Sequence, residues 1–184
     1  ENGKNIMLHG VAGSGKTYIS LYLALDEAIR NDSQYNNVVI IRSVVPSRDM
    51  GFLPGNIKEK AKVYEEPYRA ICNELYQRGD AYDILKNNQQ VVFCTTSHLR
   101  GMTFKDSIII VDEFSNMCFG ELDTVITRMG DNCRLLFCGD VRQSDLQREY
   151  ELEGIHKFIK IIGHVKNFEK IEFGVDDIVR SPLV

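Results

Sequence analysis

Residues 10–17, Gly10-Val11-Ala12-Gly13-Ser14-Gly15-Lys16-Thr17, put three glycines, a lysine and two hydroxyls into one short stretch. Glycines let a backbone curl until successive N–H groups converge on one anion. An apolar run, Ile6-Met7-Leu8, precedes the stretch and a helix-like stretch comes after it. The segment therefore reads as a strand-to-helix turn, with the partial positive charge of a helix N-terminus aimed at the same point. The spacing is G-x-x-x-x-G-K-[ST], in which Val11, Ala12 and Ser14 complete a phosphate cradle. Lys16 would reach the β- and γ-phosphates and the Thr17 hydroxyl would ligate Mg²⁺.

A second group is Asp112-Glu113, which closes the apolar run Ile108-Ile109-Ile110-Val111. Two carboxylates at the carboxyl end of a buried strand stand where open α/β sheets bind ligands. Alone, such a pair is often a solvated cap. Downstream of a phosphate cradle, Asp112 would hold Mg²⁺ through water, and Glu113 would orient and deprotonate an attacking water. A third group comes after the run Leu135 to Cys138, where Gly139-Asp140 leads to Gln143, an amide able to sense a γ-phosphate.

These groups need elements to hold them. Short apolar runs predict strands over 5–9, 38–41, 91–95, 107–111 and 134–138, with a weaker one over 170–173. Helical stretches are expected over 17–30, with Ile19, Leu23 and Ala24 on one face, and over 58–77 and 121–129. Runs apolar at every position suit strands covered on both faces of a parallel sheet. The expected fold is α/β: one P-loop domain over 1–184, mainly parallel, with helices on both faces. The irregular piece Arg42 to Ile57 carries two prolines and two glycines, and a loop that long is usually functional or mobile.

Composition sets limits. The 184 residues carry a formal net charge of −4, so no global basic field advertises nucleic acid, and any such contact must be local. Arg42, Arg48, Lys58, Lys60 and Lys62 would supply a phosphate track, but Asp49, Glu59, Glu65 and Glu66 interleave with them. The five cysteines include no C-x-x-C pair and read as reduced core thiols of a cytosolic protein. No apolar stretch approaches the ~20 residues of a membrane span, so no membrane partner is expected. The start at Glu1 suggests a trimmed chain or a fragment.

The stretches RSVVPSRDMGFLPGNIKEK, RGMTF, VDEFSNM, GDVRQSDL and DDIVRSPLV together resemble the PhoH-like family, particularly its shorter phage-borne members, from about His9 to Leu183, essentially the whole chain. The resemblance implies a RecA-like ATPase domain related to the motor domains of superfamily 1 helicases, using ATP and Mg²⁺ in a bacterial cytosol. It implies phosphate binding by Gly10 to Thr17, metal and catalytic roles for Asp112 and Glu113, and γ-phosphate sensing by Gln143. Arg180 falls on the family's late arginine. Two departures stand out. Ser115 occupies the place of a family glutamine, and the glutamine segment that contacts adenine would precede Glu1.

Rival classes fit less well. There is no N-K-x-D stretch for guanine, and Glu113 without an arginine-rich lid argues against a nucleoside kinase. One domain of the helicase type leaves the phosphate site open. A homo-oligomer is therefore expected, such as a ring in which Arg180 reaches a neighbour's γ-phosphate. The alternative for Arg180 is a surface pair with Asp176 or Asp177. Two functions remain: an ATPase that binds or remodels single-stranded RNA or DNA, and a nucleotide-dependent binding or assembly module with negligible turnover.

Overall fold

The computed structural model describes residues 3–43, 57–146 and 148–179. The elements run β1 (Asn5–Gly10), α1 (Lys16–Ala28), β2 (Asn37–Arg42), α2 (Ile57–Leu75), α3 (Ala81–Asn87) and β3 (Val91–Thr95). Next come β4 (Ser107–Asp112), α4 (Phe119–Thr127), β5 (Cys133–Gly139), α5 (Glu149–Ile162) and β6 (Phe168–Phe173). Arg48, Asp49, the GFLPG loop, Arg180 and the closing SPLV lie outside the described residues, as do the side chains of Lys58, Glu59 and Lys60.

All six strands are parallel, in the order β3-β2-β4-β5-β1-β6. The period-two alternation of strands sends successive residues to opposite faces. Val38, Ile40, Ile108, Ile110 and Leu136 therefore pack against α1, α2 and α3. Val39, Ile41, Ile109, Val111 and Phe137 pack against α4 and α5. Every residue of β4 is buried, as expected for a strand covered on both sides. The result is a RecA-like α/β domain.

Three sequence expectations change. The buried face of α1 is Ser20, Leu21, Ala24, Leu25 and Ala28, while Ile19 and Leu23 are exposed beside Tyr18 and Tyr22. Two helices, α3 and α5, go beyond those expected. The second buries Ile155, Phe158 and Ile162, whose spacing of three and four is a helical signal. Finally, β6 starts two residues before its expected span and is a mostly exposed edge strand paired with β1. All five cysteines are free thiols, and Cys72, Cys94 and Cys138 are buried.

Candidate nucleotide site

The carboxyl ends of β1, β4, β5 and β2 open on one cavity of about 1090 Å³, lined among others by Gly13, Lys16, Asp112, Glu113, Gln143 and Arg42. After β1 the chain turns through three glycines with positive φ, Gly10, Gly13 and Gly15. Gly10 has a second reason to lack a side chain: a Cβ there would lie 2.0 Å from the Phe173 carbonyl oxygen. Gly15, in the left-handed region, is the N-cap of α1. The first turn of α1 carries no acidic residue, so nothing there cancels its partial positive charge.

Lys16 is buried and its Nζ donates to the Val11 carbonyl at 2.6 Å, the Gly10 carbonyl at 3.1 Å and the Ser14 hydroxyl at 3.1 Å. Burial pulls its ammonium below the ordinary lysine value, opposed by the nearby Asp140, Cys138 and Asp112. The Thr17 hydroxyl donates to Asp112 Oδ1 at 2.8 Å. The second Asp112 oxygen accepts from the Tyr68 hydroxyl of α2, also at 2.8 Å. Burial, and then the Asp112 carboxylate, push the Tyr68 phenol well above its ordinary value, which keeps it a donor. The side chain of Asp112 is thus fixed from two sides, facing the mouth of α1.

Glu113 takes a different direction. Its backbone is left-handed, with φ 50°, a conformation unfavourable to residues other than glycine. Its Oε1 accepts from Arg42 Nη2 at 2.8 Å. Arg42, at the end of β2, is paired in register with Asp112 and lies 5.8 Å from the Tyr64 ring centre. Gln143 stands in a short 3₁₀ turn, Val141–Gln143, that opens from Asp140. That loop is tied to the segment after Glu113. Asn116 Nδ2 donates to Asp145 Oδ2 at 3.0 Å, Asp145 N–H donates to Asn116 Oδ1 at 2.9 Å, and the Ser144 hydroxyl donates to the Ser115 carbonyl at 2.6 Å.

The structure therefore brings Gly10 to Thr17, Asp112, Glu113 and Gln143 to one cavity. Sequence reasoning missed Tyr68, the Asn116–Asp145 link and the Arg42–Glu113 pair. By sequence, Arg42 reads only as part of a phosphate track. For Arg180, the described structure ends at Val179, whose N–H donates to the Gly13 carbonyl at 3.2 Å. Arg180 itself, and with it the expected reach to a neighbour's γ-phosphate, lies outside the described residues. No group of three or more His, Cys, Asp or Glu able to hold a metal occurs among the described residues.

A parallel sheet with a glycine-rich cradle after β1 and an acidic pair two strands away defines a P-loop domain of RecA-like type. Comparison with known proteins gives the family. The profile of PhoH-like protein matches residues 2–184, and the chain belongs to this family of P-loop ATPases. It is 30% identical over 185 residues to Protein PhoH of Escherichia coli (strain K12), covering 100% of this chain and 51% of that protein. It is 30% identical over 177 residues to a PhoH-like protein of Bacillus subtilis (strain 168), covering 95% and 54%. A Synechocystis PhoH-like protein is 27% identical over 176 residues, covering 95% and 52%. The chain spans about half the length of these relatives. No helix among the described residues is long and apolar enough to cross a membrane.

Proposed function

We propose that this chain binds ATP with Mg²⁺, hydrolyses it, and couples the cycle to binding or remodelling single-stranded RNA or DNA as a homo-oligomer. One observation carries the nucleotide part: the Thr17 hydroxyl and the Asp112 carboxylate meet at 2.8 Å at the mouth of α1. A hydroxyl beside a carboxylate is a hard oxygen pair of the kind that, with waters and phosphate oxygens, holds Mg²⁺. The ion would neutralise phosphate charge. Lys16 would exchange its loop carbonyls for phosphate oxygens, a charge-assisted and stronger partner. Glu113 would orient the water and accept its proton, and Gln143 would sense the γ-phosphate.

The polynucleotide and oligomer parts draw support from the family and from apolar side chains exposed near the cavity, Ile19, Tyr22 and Val179. The Arg42–Glu113 pair favours the second reading, a binding module with little turnover, because it occupies the proposed base. Steady-state ATP hydrolysis with Mg²⁺, with and without single-stranded RNA or DNA, decides between them. Glu113→Gln should keep ATP binding and lower hydrolysis roughly 10²-fold or more, the range for loss of a general base. Equal turnover in the mutant and the parent would remove Glu113 from that role.

A further inference from the structure

We propose that Arg42 restrains Glu113: their ion pair parks the carboxylate on the β2 side of the acidic strand, and turnover requires the pair to open. This rests on the reading of Glu113 as the base. The two acids are neighbours in sequence, yet they are held by different partners. Asp112 is bonded to Thr17 at the phosphate cradle, and Glu113 to Arg42 on β2. In the sheet, β2 adjoins β4 on one side, and β5 then β1 lie on the other. With strands about 4.8 Å apart, the strand that carries the cradle is about 10 Å from β4, on the side away from β2.

Several features hold the parked state. Arg42 is mostly buried and Glu113 is half exposed, so the arginine is the fixed partner and the glutamate the one free to move. Residue 42 alternates with Ile40, which places Arg42 on the α2 face, beside Tyr64. Strand alternation would send residue 113 to the opposite face, and the left-handed turn at Glu113 instead ends the strand and lets its carboxylate meet Arg42. Arg42 touches no residue of the phosphate loop among the described hydrogen bonds and ion pairs. It is therefore a positioning residue that acts through Glu113.

The experiment compares parent, Arg42→Ala, Arg42→Lys, Glu113→Gln and the double mutant Arg42→Ala/Glu113→Gln in steady-state ATP hydrolysis, with melting temperature as a check on folding. Arg42→Ala should raise kcat by about three- to tenfold with KM for ATP within about twofold, the split expected when only the chemical step gains. Arg42→Lys, which keeps the charge but lacks the planar fork, should lie between parent and Arg42→Ala. The double mutant should be no faster than Glu113→Gln, which shows that the gain runs through the glutamate. If Arg42→Ala is folded and turns over ATP no faster than an active parent, the restraint is overturned while the base reading stands. If kcat falls or KM rises severalfold, Arg42 serves the nucleotide directly and the restraint is equally overturned. Absence of hydrolysis in both parent and Arg42→Ala removes the restraint and the ATPase reading together.

Discussion

Lys16 directs its three donors to its own loop, to two carbonyls and a hydroxyl, which holds the ammonium at the centre of the cradle. Lys16→Ala should leave the fold intact and weaken ATP binding by about 2 kcal/mol or more, the scale of a hydrogen bond to a charged group. Calorimetry should read at least about a thirtyfold rise in Kd, and unchanged affinity would refute the cradle. His9, just before Gly10, gives a pH dependence. Burial lowers its pKa below 6.5, with Glu172 opposing and Lys170, Arg142 and Lys16 adding to the effect. Between the lowered native value and 6.5 the unfolded chain binds more protons, so stability falls as pH drops through that window. Melting temperature should decline from pH 7 to pH 5.5, and His9→Gln should flatten the decline. At this scale the cradle and the acids were legible because each is a local pattern with its own chemistry. Tyr68 was not, because an apolar helix position looks alike whether its hydroxyl meets water or, as here, a carboxylate 44 residues away.

The elements hold the site through close packing at the strand ends. Gly139 closes β5, and a Cβ there would lie 2.9 Å from Phe114 Cδ1 and 3.3 Å from the Ser115 nitrogen. Phe114 is fully buried and meets Phe137 edge to face at 5.8 Å, so it has little room to yield. Gly139→Ala should destabilise by about 1–3 kcal/mol, the range for overpacking a core, and should lower hydrolysis because Phe114 is the residue next to Glu113. Thermal melting alongside kcat tests both, and an unshifted melting temperature would show that the contact relaxes at no cost. Strands were the legible elements, since Ile108 to Val111 and Leu135 to Cys138 are apolar at every position and only a two-sided sheet needs that. The α5 helix was hidden behind the mostly polar stretch Gln143 to Glu151. Its interior Gly154 looks like a breaker, yet it sits where a Cβ would come within 3.1 Å of Phe119, so the glycine serves α4–α5 packing. The exposure of Ile19 and Leu23 was illegible for another reason: helical spacing marks which residues share a face, and only tertiary structure decides which face is covered.

At the scale of the whole molecule, β6 and the segment from Gly174 to Val179 close back on the first loop. Val11 N–H donates to the Phe173 carbonyl at 3.2 Å, and Val179 N–H donates to the Gly13 carbonyl at 3.2 Å. Residues far apart in sequence thus meet at the cradle, so any change in loop conformation on binding phosphate would reach the segment that ends at Val179. The sheet order could not be read from the sequence, because apolar runs carry no address for their neighbours, and with it the meeting of β6 and β1 was hidden. This contact bears on whether Arg180 serves its own site or a neighbour's. Arginine suits γ-phosphate because its planar fork bonds two oxygens and stays protonated. If the tether from Val179 to the same chain's Gly13 carries through to the next residue, Arg180 serves its own chain. Arg180→Ala should bind ATP nearly as the parent does and lose most of its hydrolysis. Mixed with Glu113→Gln in a preparation shown to exchange subunits, it should regain nothing, since neither parent then holds both groups in one chain. Recovery of activity on mixing would assign the arginine to the adjacent subunit, because only a site built from two chains combines the intact Glu113 of one with the intact Arg180 of the other.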